Sequence, residues 1–463
     1  MALQGRKNII MAWSEDGKQP FSFSVCVSSH LLLESLTQSV TQLSPAAPRL
    51  VHLTLSSQAS IISSFAQIAT VLQHLRKFIS EIYTKASEPP DNSTQSHFGP
   101  LRQRSKRTQT LEAFADAVDG EIRSLDKWCA NKEQEIGRAQ AGFGSPLIVS
   151  LLSLEKAIRD TFAASFSVIL DVLRTVMARA SHSSHSHSSV DVWTLPSLPT
   201  RLPPAAITAL LLDTLLQAVQ EHLSMVDMIT SDTLMRVFAK TAEPVWSMVR
   251  RWLEHGMPIR DSSARYGEVS LDDEFFIEDN EMMLLDPDFW AVGYDLRDGA
   301  GEEAEGLQAS PKTIPVFLTH VAEDVLGSGK ATGLLRALGV PTTTADMDPS
   351  HQFMKQSFSD LLALHTAHPN AENGTSVSLS TDTLSRVVYD ELSPHCQTTG
   401  ALLTTVLVND CDLWRHLSAI EDLYLMRRGD AMSHFTDILF AKVRFFFVHA
   451  YSRAHRESLL LDG

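Results

Sequence analysis

The apolar residues Ile61, Phe65, Ile68, Leu72, Leu75, Ile79 and Ile82 are separated alternately by four and three positions. That spacing puts all seven on one face of an α-helix, the cleanest amphipathic pattern in the chain. The stretch SEPPDNSTQSHFGP interrupts it with prolines and turn formers, and a second helix is predicted with Leu111, Phe114, Val118, Ile122, Leu125 and Trp128 on one side. A third begins at GSPLIVSLLSLEKAI, with Ser145 as N-cap and Pro146 in the first turn, and runs to about Met177 before SHSSHSHSSV. A fourth reads ITALLLDTLLQAVQEHLSMVDMI, and a fifth spans about Asp232 to His255 with Gly256 as its stop.

Long helices with short breaks predict an all-α fold built as an irregular stack of helical bundles. FSFSVCV near Phe21 alternates like a strand but is too isolated to build a sheet. No fixed repeat of 20 to 50 residues is visible, so short-repeat solenoids are not supported. Loops are expected at TTTADMDPSHQ and HTAHPNAENGTSVSLS, and helical patterns resume at TLSRVVYDEL and GALLTTVLVNDCDLWRHLSAIEDLYLMRRGD. At 463 residues, 44% of them hydrophobic, the chain exceeds one compact core and implies two or more modules or one extended stack.

Charge narrows the partners. A net charge of −16 opposes wrapping a nucleic-acid backbone or lying on an anionic membrane, both of which need clustered cations, so protein partners are expected. Cys26, Cys129, Cys396 and Cys411 lie far apart and form no C-x-x-C pair, which suggests neither a zinc site nor a disulfide framework and fits a reducing compartment. The N-terminus lacks a signal-peptide apolar region, and no stretch holds the roughly 18 uninterrupted apolar residues of a membrane span. The sequons at Asn92 and Asn373 read as chance matches in polar loops.

Four motifs invite chemistry. His182, His185 and His187 lie in a serine-rich run without acidic partners, which reads as a linker rather than a metal site. GSGKATG, Gly327 to Gly333, resembles a phosphate loop, but Asp324 stands at the first glycine position, Ala331 follows Lys330, and the preceding FLTHVAEDVL is helical in pattern. The alternative is a helix ending at Leu326, a glycine turn and a new helix from about Ala331. Between Glu268 and Glu305 there are fourteen Asp or Glu against the single Arg297. Within that run the carboxylates of LDDEFFIEDN could shift one another's pKa or bind a hard cation. They show neither calcium-loop spacing nor a neighbouring nucleophile and base, which favours a solvated acidic strip around buried Phe275 and Phe276. RQRSKR, Arg102 to Arg107, reads as a polar interhelical loop, with an import signal or a phosphate contact as the other options. No catalytic residue, cofactor or metal ligand is assigned.

The order of these signals resembles the first GRIP module of the gamma-tubulin complex components, which scaffold microtubule nucleation. The matching positions are Trp252 and Gly256 closing a helix, Glu274, Phe275 and Phe276 in the acidic segment, and Trp290 and Tyr294 in the aromatic stretch. They continue with Pro315, Phe317, Leu318, Ala322 and Leu326, then Gly329, Lys330 and Leu334 around the Gly-Lys turn. Further on, LWRHLSAIEDLYLMRRGD is similar to the opening of the second GRIP module, with Gly429 and Asp430 as its Gly-Asp pair. The resemblance implies a first module over 1–340 with an acidic insert at 261–312, a loop-rich linker at 341–380, and the beginning of a second module over 381–463. It also implies lateral association with other complex components, gamma-tubulin binding through a complete second module, and a place in the cytoplasm at microtubule-organising centres or spindle poles.

Family members continue through a full second module, whereas this chain stops at Gly463 and starts close to the first module. A fragment, a truncated gene product or a shortened form is therefore expected, with Phe445, Phe446, Phe447 and Tyr451 as an apolar patch that a full module would cover. Its acidic inserts point to the divergent fifth- or sixth-type components. Two readings compete with the scaffold: a nucleotide- or metal-dependent enzyme using residues 327–330 and the acidic cluster 272–281, and a helical adaptor unrelated to microtubules.

Overall fold

Thr54 opens the first helix, its hydroxyl accepting from the Ser57 amide at 3.2 Å. Helix α1 then runs from Leu55 to Ser87. The structure is a computed structural model that describes residues 53–87, 108–142, 149–181, 202–258, 271–282, 286, 288–297, 312–340, 356–366, 380–424 and 427–444. All seven residues of the alternating stripe are buried, Leu72 completely so at 0% exposure. They face α2 (Gln109–Gln140), which buries Leu111, Phe114, Val118, Ile122 and Leu125. Phe78 meets Phe114 edge-on at 6.0 Å between centroids, and Arg76 pairs with Asp126 at 3.1 Å. The expected sixth member of the α2 stripe, Trp128, is only half-buried and stacks edge-on with Phe162.

The third helix begins later than Ser145 and Pro146, which lie outside the described residues. Val149 and Ser150 are not helical, and α3 (Leu151–Ile158) starts behind Ser150. Ser150 accepts from the Ser153 amide at 3.0 Å, and the Ser153 hydroxyl accepts from the Ser150 amide at 3.2 Å. This reciprocal capping box satisfies two otherwise orphaned amides and fixes the start. A π-helical turn (Arg159–Ala163) joins α3 to α4 (Ala164–Ser181). The run Leu151–Ala180 is long and apolar enough to cross a membrane. Its face bearing Ile158, Phe166, Ile169, Leu173, Val176 and Met177 belongs to the shared core, where α4 packs on α1, α5 and α6.

Helix α5 (Pro204–Ser224) ends before the sequence pattern does, and α6 (Met228–His255) begins before Asp232. The break is at Val226, whose φ is +62°, followed by Asp227, whose carboxylate accepts from the Thr230 amide at 3.3 Å. Met225, Val226 and Ile229 carry an apolar rhythm straight across this turn while lying exposed, which is why periodicity overran it.

Helix α6 is the hub, packing against α2, α4, α5, α8 (Ala322–Ala337) and α9 (Phe358–Thr366). Arg236 on α6 grips Glu121 on α2 through two parallel hydrogen bonds of 3.1 Å. Between α6 and α8 the chain forms β1 (Ile277–Asp279), the short α7 (Phe289–Val292), β2 (Tyr294–Leu296) and a 3₁₀ turn (Val316–Leu318). β1 and β2 pair antiparallel with Ile277 opposite Leu296 and Asp279 opposite Tyr294. Three residues per strand are too few for an alternating signature, so this ribbon is absent from the sequence reading. Helix α8 is continuous through GSGKATG, which overturns the expected stop at Leu326, glycine turn and restart at Ala331.

The chain divides into two compact units between Cys396 and Gln397, inside α10 (Thr381–Thr405). The second unit continues α10 through a π-helical turn (Val406–Asp410) and a break at Asp412, φ +48°, into α11 (Leu413–Tyr424). Residues 429–444, starting with Gly429 and Asp430, form α12. Trp414, Leu417, Ile420 and Tyr424 on α11 are exposed, as are Phe435, Ile438, Leu439 and Phe440 on α12. The expectations for FSFSVCV, RQRSKR, the His182–His187 run and Phe445–Tyr451 fall outside the described residues.

Leu72 supplies a direct test of the α1 interface. Leu72→Ala should lower the unfolding free energy by roughly 2–5 kcal/mol, read from urea unfolding. A loss below about 0.5 kcal/mol, the scale of a surface change, would place that face in solvent.

Candidate functional site

Helix α6 ends at Gly256, whose φ of +68° is a conformation that side-chain-bearing residues avoid. A Cβ there would also overlap the backbone of Gly333 on α8. One turn earlier, the Trp252 indole is buried in the contact, and its Nε1–H donates to the Val325 carbonyl at 2.8 Å. A methyl on Gly329 would occupy the space of that indole, and one on Gly333 would overlap the Met257 side chain. Gly256 is therefore a glycine because the backbone of α8 abuts it, Gly329 because the Trp252 indole lies where a Cβ would, and Gly333 because Met257 does.

Polar groups of α8 then satisfy the open end of α6. The Met257 amide donates to the Gly329 carbonyl at 3.0 Å. Thr332 Oγ1 reaches the Leu253 carbonyl at 3.3 Å, and Arg336 Nη1 donates to the His255 carbonyl at 2.7 Å. The last carbonyls of a helix have no partner within it, so α8 acts as the C-terminal cap of α6. GSGKATG is the cap-bearing face of a helix. Its amides point along the helix axis into intrahelical bonds, and no phosphate cradle forms from them.

Lys330 points the other way. Its Nζ lies 3.2 Å from the Ala291 carbonyl and 3.4 Å from that of Trp290, at the C-terminal end of α7. Burial lowers its pKa, and the nearby Asp295 opposes that shift. The lysine thus neutralises the negative end of a short helix.

The described residues 271–282, 286 and 288–297 form a strap across this contact. Phe275, Phe276, Ile277, Phe289 and Tyr294 are buried in it. Tyr294 stacks on Trp252 at 5.6 Å and donates its hydroxyl to the Pro258 carbonyl at 2.7 Å. Phe275 also meets Trp252, at 6.2 Å. Trp290 is 39% exposed and stands edge-on to Phe289, so the buried member of the Phe-Trp pair is the phenylalanine. Arg251 ties the strap's start to α6 through Asp272 at 2.6 Å, and Arg297 closes its far end by donating to the Phe275 carbonyl at 2.7 Å.

Glu274 leaves the strap and caps α2. Only 5% exposed, it accepts from the Gln109 amide, from the Thr110 amide at 3.0 Å and from the Thr110 hydroxyl at 2.7 Å. The Thr208 hydroxyl approaches it at 3.4 Å. Burial raises its pKa, against the lowering pull of the Thr110 and Gln109 hydrogen bonds. Two further carboxylates do the same elsewhere: Glu243 accepts from the Phe358 amide at the start of α9 at 2.7 Å, and Asp213 from the Val316 amide at 2.8 Å. These two were not singled out from the sequence, since each lies on one element and caps another more than a hundred residues away.

The sequence-predicted positions thus fall into three places. Trp252, Gly256, Glu274, Phe275, Phe276, Tyr294, Gly329 and Lys330 build one contact, with Trp290 at its rim. Pro315 precedes the 3₁₀ turn, where Phe317 and Leu318 are buried and Phe317 stacks with Phe238 and Phe358, each at 5.7 Å. Ala322 is buried while Leu326 and Leu334 are half-buried. Gly429 and Asp430 lie exposed in the second unit. Among the described residues no three His, Cys, Asp or Glu converge as metal ligands.

Glu274 yields a prediction whose sign follows from its burial. A carboxyl with a raised folded pKa binds its proton more tightly when folded, so its stabilising contribution is full below its ordinary value of 4.5 and is lost as pH rises through the folded value. Comparing urea midpoints of the wild type and Glu274→Gln should show the difference moving in favour of Gln as pH increases from 4.5. Glu274→Ala, which strands two amides, should cost about 1–3 kcal/mol.

No curated protein matches the chain. The model of the gamma tubulin complex component N-terminal family matches residues 1–410. With that match over most of its length, and an all-α body built around the residues that carried the resemblance, the chain belongs to the gamma-tubulin complex component family.

Proposed function

We propose that this chain is a non-enzymatic scaffold of the gamma-tubulin complex. Its first module packs laterally against equivalent modules of other components, and so helps array gamma-tubulin for microtubule nucleation at microtubule-organising centres and spindle poles. In this reading residues 1–340 form the first module, 341–380 the linker, and 381–463 the beginning of the second module, which binds gamma-tubulin when complete. The observation that supports it, beside the family match, is what the chemistry-like motifs are used for. The Gly-Lys segment caps α6, Lys330 neutralises α7, and Glu274 caps α2. Each is consumed in fixing one helix against another, which is what a rigid lateral building block needs.

Co-precipitation with the full chain as bait tests this. Recovery of other gamma-tubulin complex components is expected, and failure to recover any of them would remove the reading. The nucleotide alternative is tested by equilibrium binding of ATP and GTP. No saturable binding at millimolar nucleotide is expected, since Trp252 and Met257 fill the space beside the glycines. Saturable binding lost in Lys330→Ala would establish the alternative instead.

A further inference from the structure

The turn that ends α5 closes in the same way as the end of α8 and differs in one residue. At the end of α8 the Gly339 amide donates to the Arg336 carbonyl at 3.1 Å and the Val340 amide to the Leu335 carbonyl at 3.0 Å, with Gly339 at φ +74°. At the end of α5 the Val226 amide donates to the Leu223 carbonyl and the Asp227 amide to the His222 carbonyl, both at 3.0 Å, with Val226 at φ +62°. This paired closure satisfies the last carbonyls of a helix and needs one left-handed residue, usually glycine. Helices α2 and α6 likewise have Gly142 and Gly256 at positive φ. A β-branched side chain in that conformation is strained. Val226 gains no burial to offset the strain, since it is 78% exposed. Met225, Met228 and Ile229 beside it are exposed as well, so a strained turn presents four apolar side chains to solvent. The turn is held in place by Asp227, which accepts from the Thr230 amide. The surrounding charge is all of one sign: Glu221, Asp227 and Asp232 flank the tip, and no Lys or Arg occurs between Pro204 and Met235.

We infer that the α5–α6 turn is a docking tip: Met225, Val226, Met228 and Ile229 enter an apolar socket, rimmed by Lys or Arg, on the module of a neighbouring gamma-tubulin complex component. This rests on the scaffold reading and names the residues by which the first module holds its neighbour. Glycine at position 226 would give the same turn without strain and without a side chain to offer. Valine there gives up stability for an apolar contact outside the chain, the usual trade between stability and function. The turn is already fixed before binding, so little ordering opposes association. The two methionines adapt their shape to the socket, and the carboxylates around them select a cationic rim. A second copy of this chain is the poorer occupant. Its net charge is −16, and the hollow between its α1 and α2, lined by Arg76, Ile79, Ser80, Tyr83 and Asp119, is mainly polar, with Arg76 already held by Asp126.

The test makes two measurements on the same full-length variants: urea unfolding, and binding to the complex components that the wild-type chain co-precipitates. Val226→Gly removes both the strain and the side chain. Its urea midpoint should rise while its affinity for the neighbouring component falls about tenfold, the scale of a residue central to an interface. Met225→Ser combined with Ile229→Ser should weaken binding as much at an unchanged midpoint, because both side chains are exposed. Glu221→Lys combined with Asp232→Lys should weaken it through the rim. If the wild type recovers its components and Val226→Gly recovers them equally well, the inference is overturned and the scaffold reading stands. If the wild type recovers none, both go. A lowered midpoint in Val226→Gly would show that the valine is not strained and would also overturn the inference. Self-association of the wild type in sedimentation, abolished by Val226→Gly, would make a second copy the occupant and overturn the assigned partner.

Discussion

The approach of α8 to the end of α6 is the constraint on which the first unit depends. Helix α6 packs against α2, α4, α5, α8 and α9, so the place where it stops sets where the following chain can go. It stops at a glycine with positive φ, and α8 lies against that stop closely enough that three positions tolerate no Cβ. Trp252 fills the wedge between the two helices, and its single hydrogen-bonding group is satisfied by the Val325 carbonyl. Packing this tight is sensitive to single methylene changes, because protein interiors are as dense as molecular crystals. The strap then folds over Trp252 through Phe275 and Tyr294.

A second constraint is electrostatic. In an acidic chain the carboxylates could simply be solvated, yet Glu274, Glu243 and Asp213 each reach amides of an element distant in sequence. The Thr110 amide is buried and the Phe358 amide partly so, and an N–H group shut off from water without an acceptor is expensive, whereas the Val316 amide is exposed. Supplying the acceptor from another element both satisfies the donor and fixes the relative position of the two elements. The phosphate-loop look of GSGK has a parallel origin at the opposite pole: Lys330 serves the carbonyls ending α7 and Arg336 one ending α6.

The all-α class and the helix faces were legible because α1 and α2 each bury one stripe, and stripes leave a period in the sequence. The boundary between α5 and α6 was not, since Met225, Val226 and Ile229 are exposed apolar residues that continue the period across a turn. The start of α3 was misplaced because Ser145 with Pro146 is as good a local signal as Ser150, and only the reciprocal bond to Ser153 separates them. The aromatic and glycine positions of the site were readable as a set through the family resemblance. Their purpose was not, because glycine marks a turn and a close approach with the same letter. Glu243 and Asp213 were invisible for a different reason: a carboxylate on a helix surface looks the same whether it faces water or another helix's amide.

The central claim is that Gly329 is required by the indole of Trp252 and by nothing else. A double-mutant cycle of Gly329→Ala and Trp252→Phe, followed by urea unfolding, measures this directly. The account predicts that Gly329→Ala is strongly destabilising alone and much less so in the Trp252→Phe background, where the smaller ring leaves room for the methyl. A coupling of about 1 kcal/mol or more is the expected result. Additive effects of the two substitutions would contradict it.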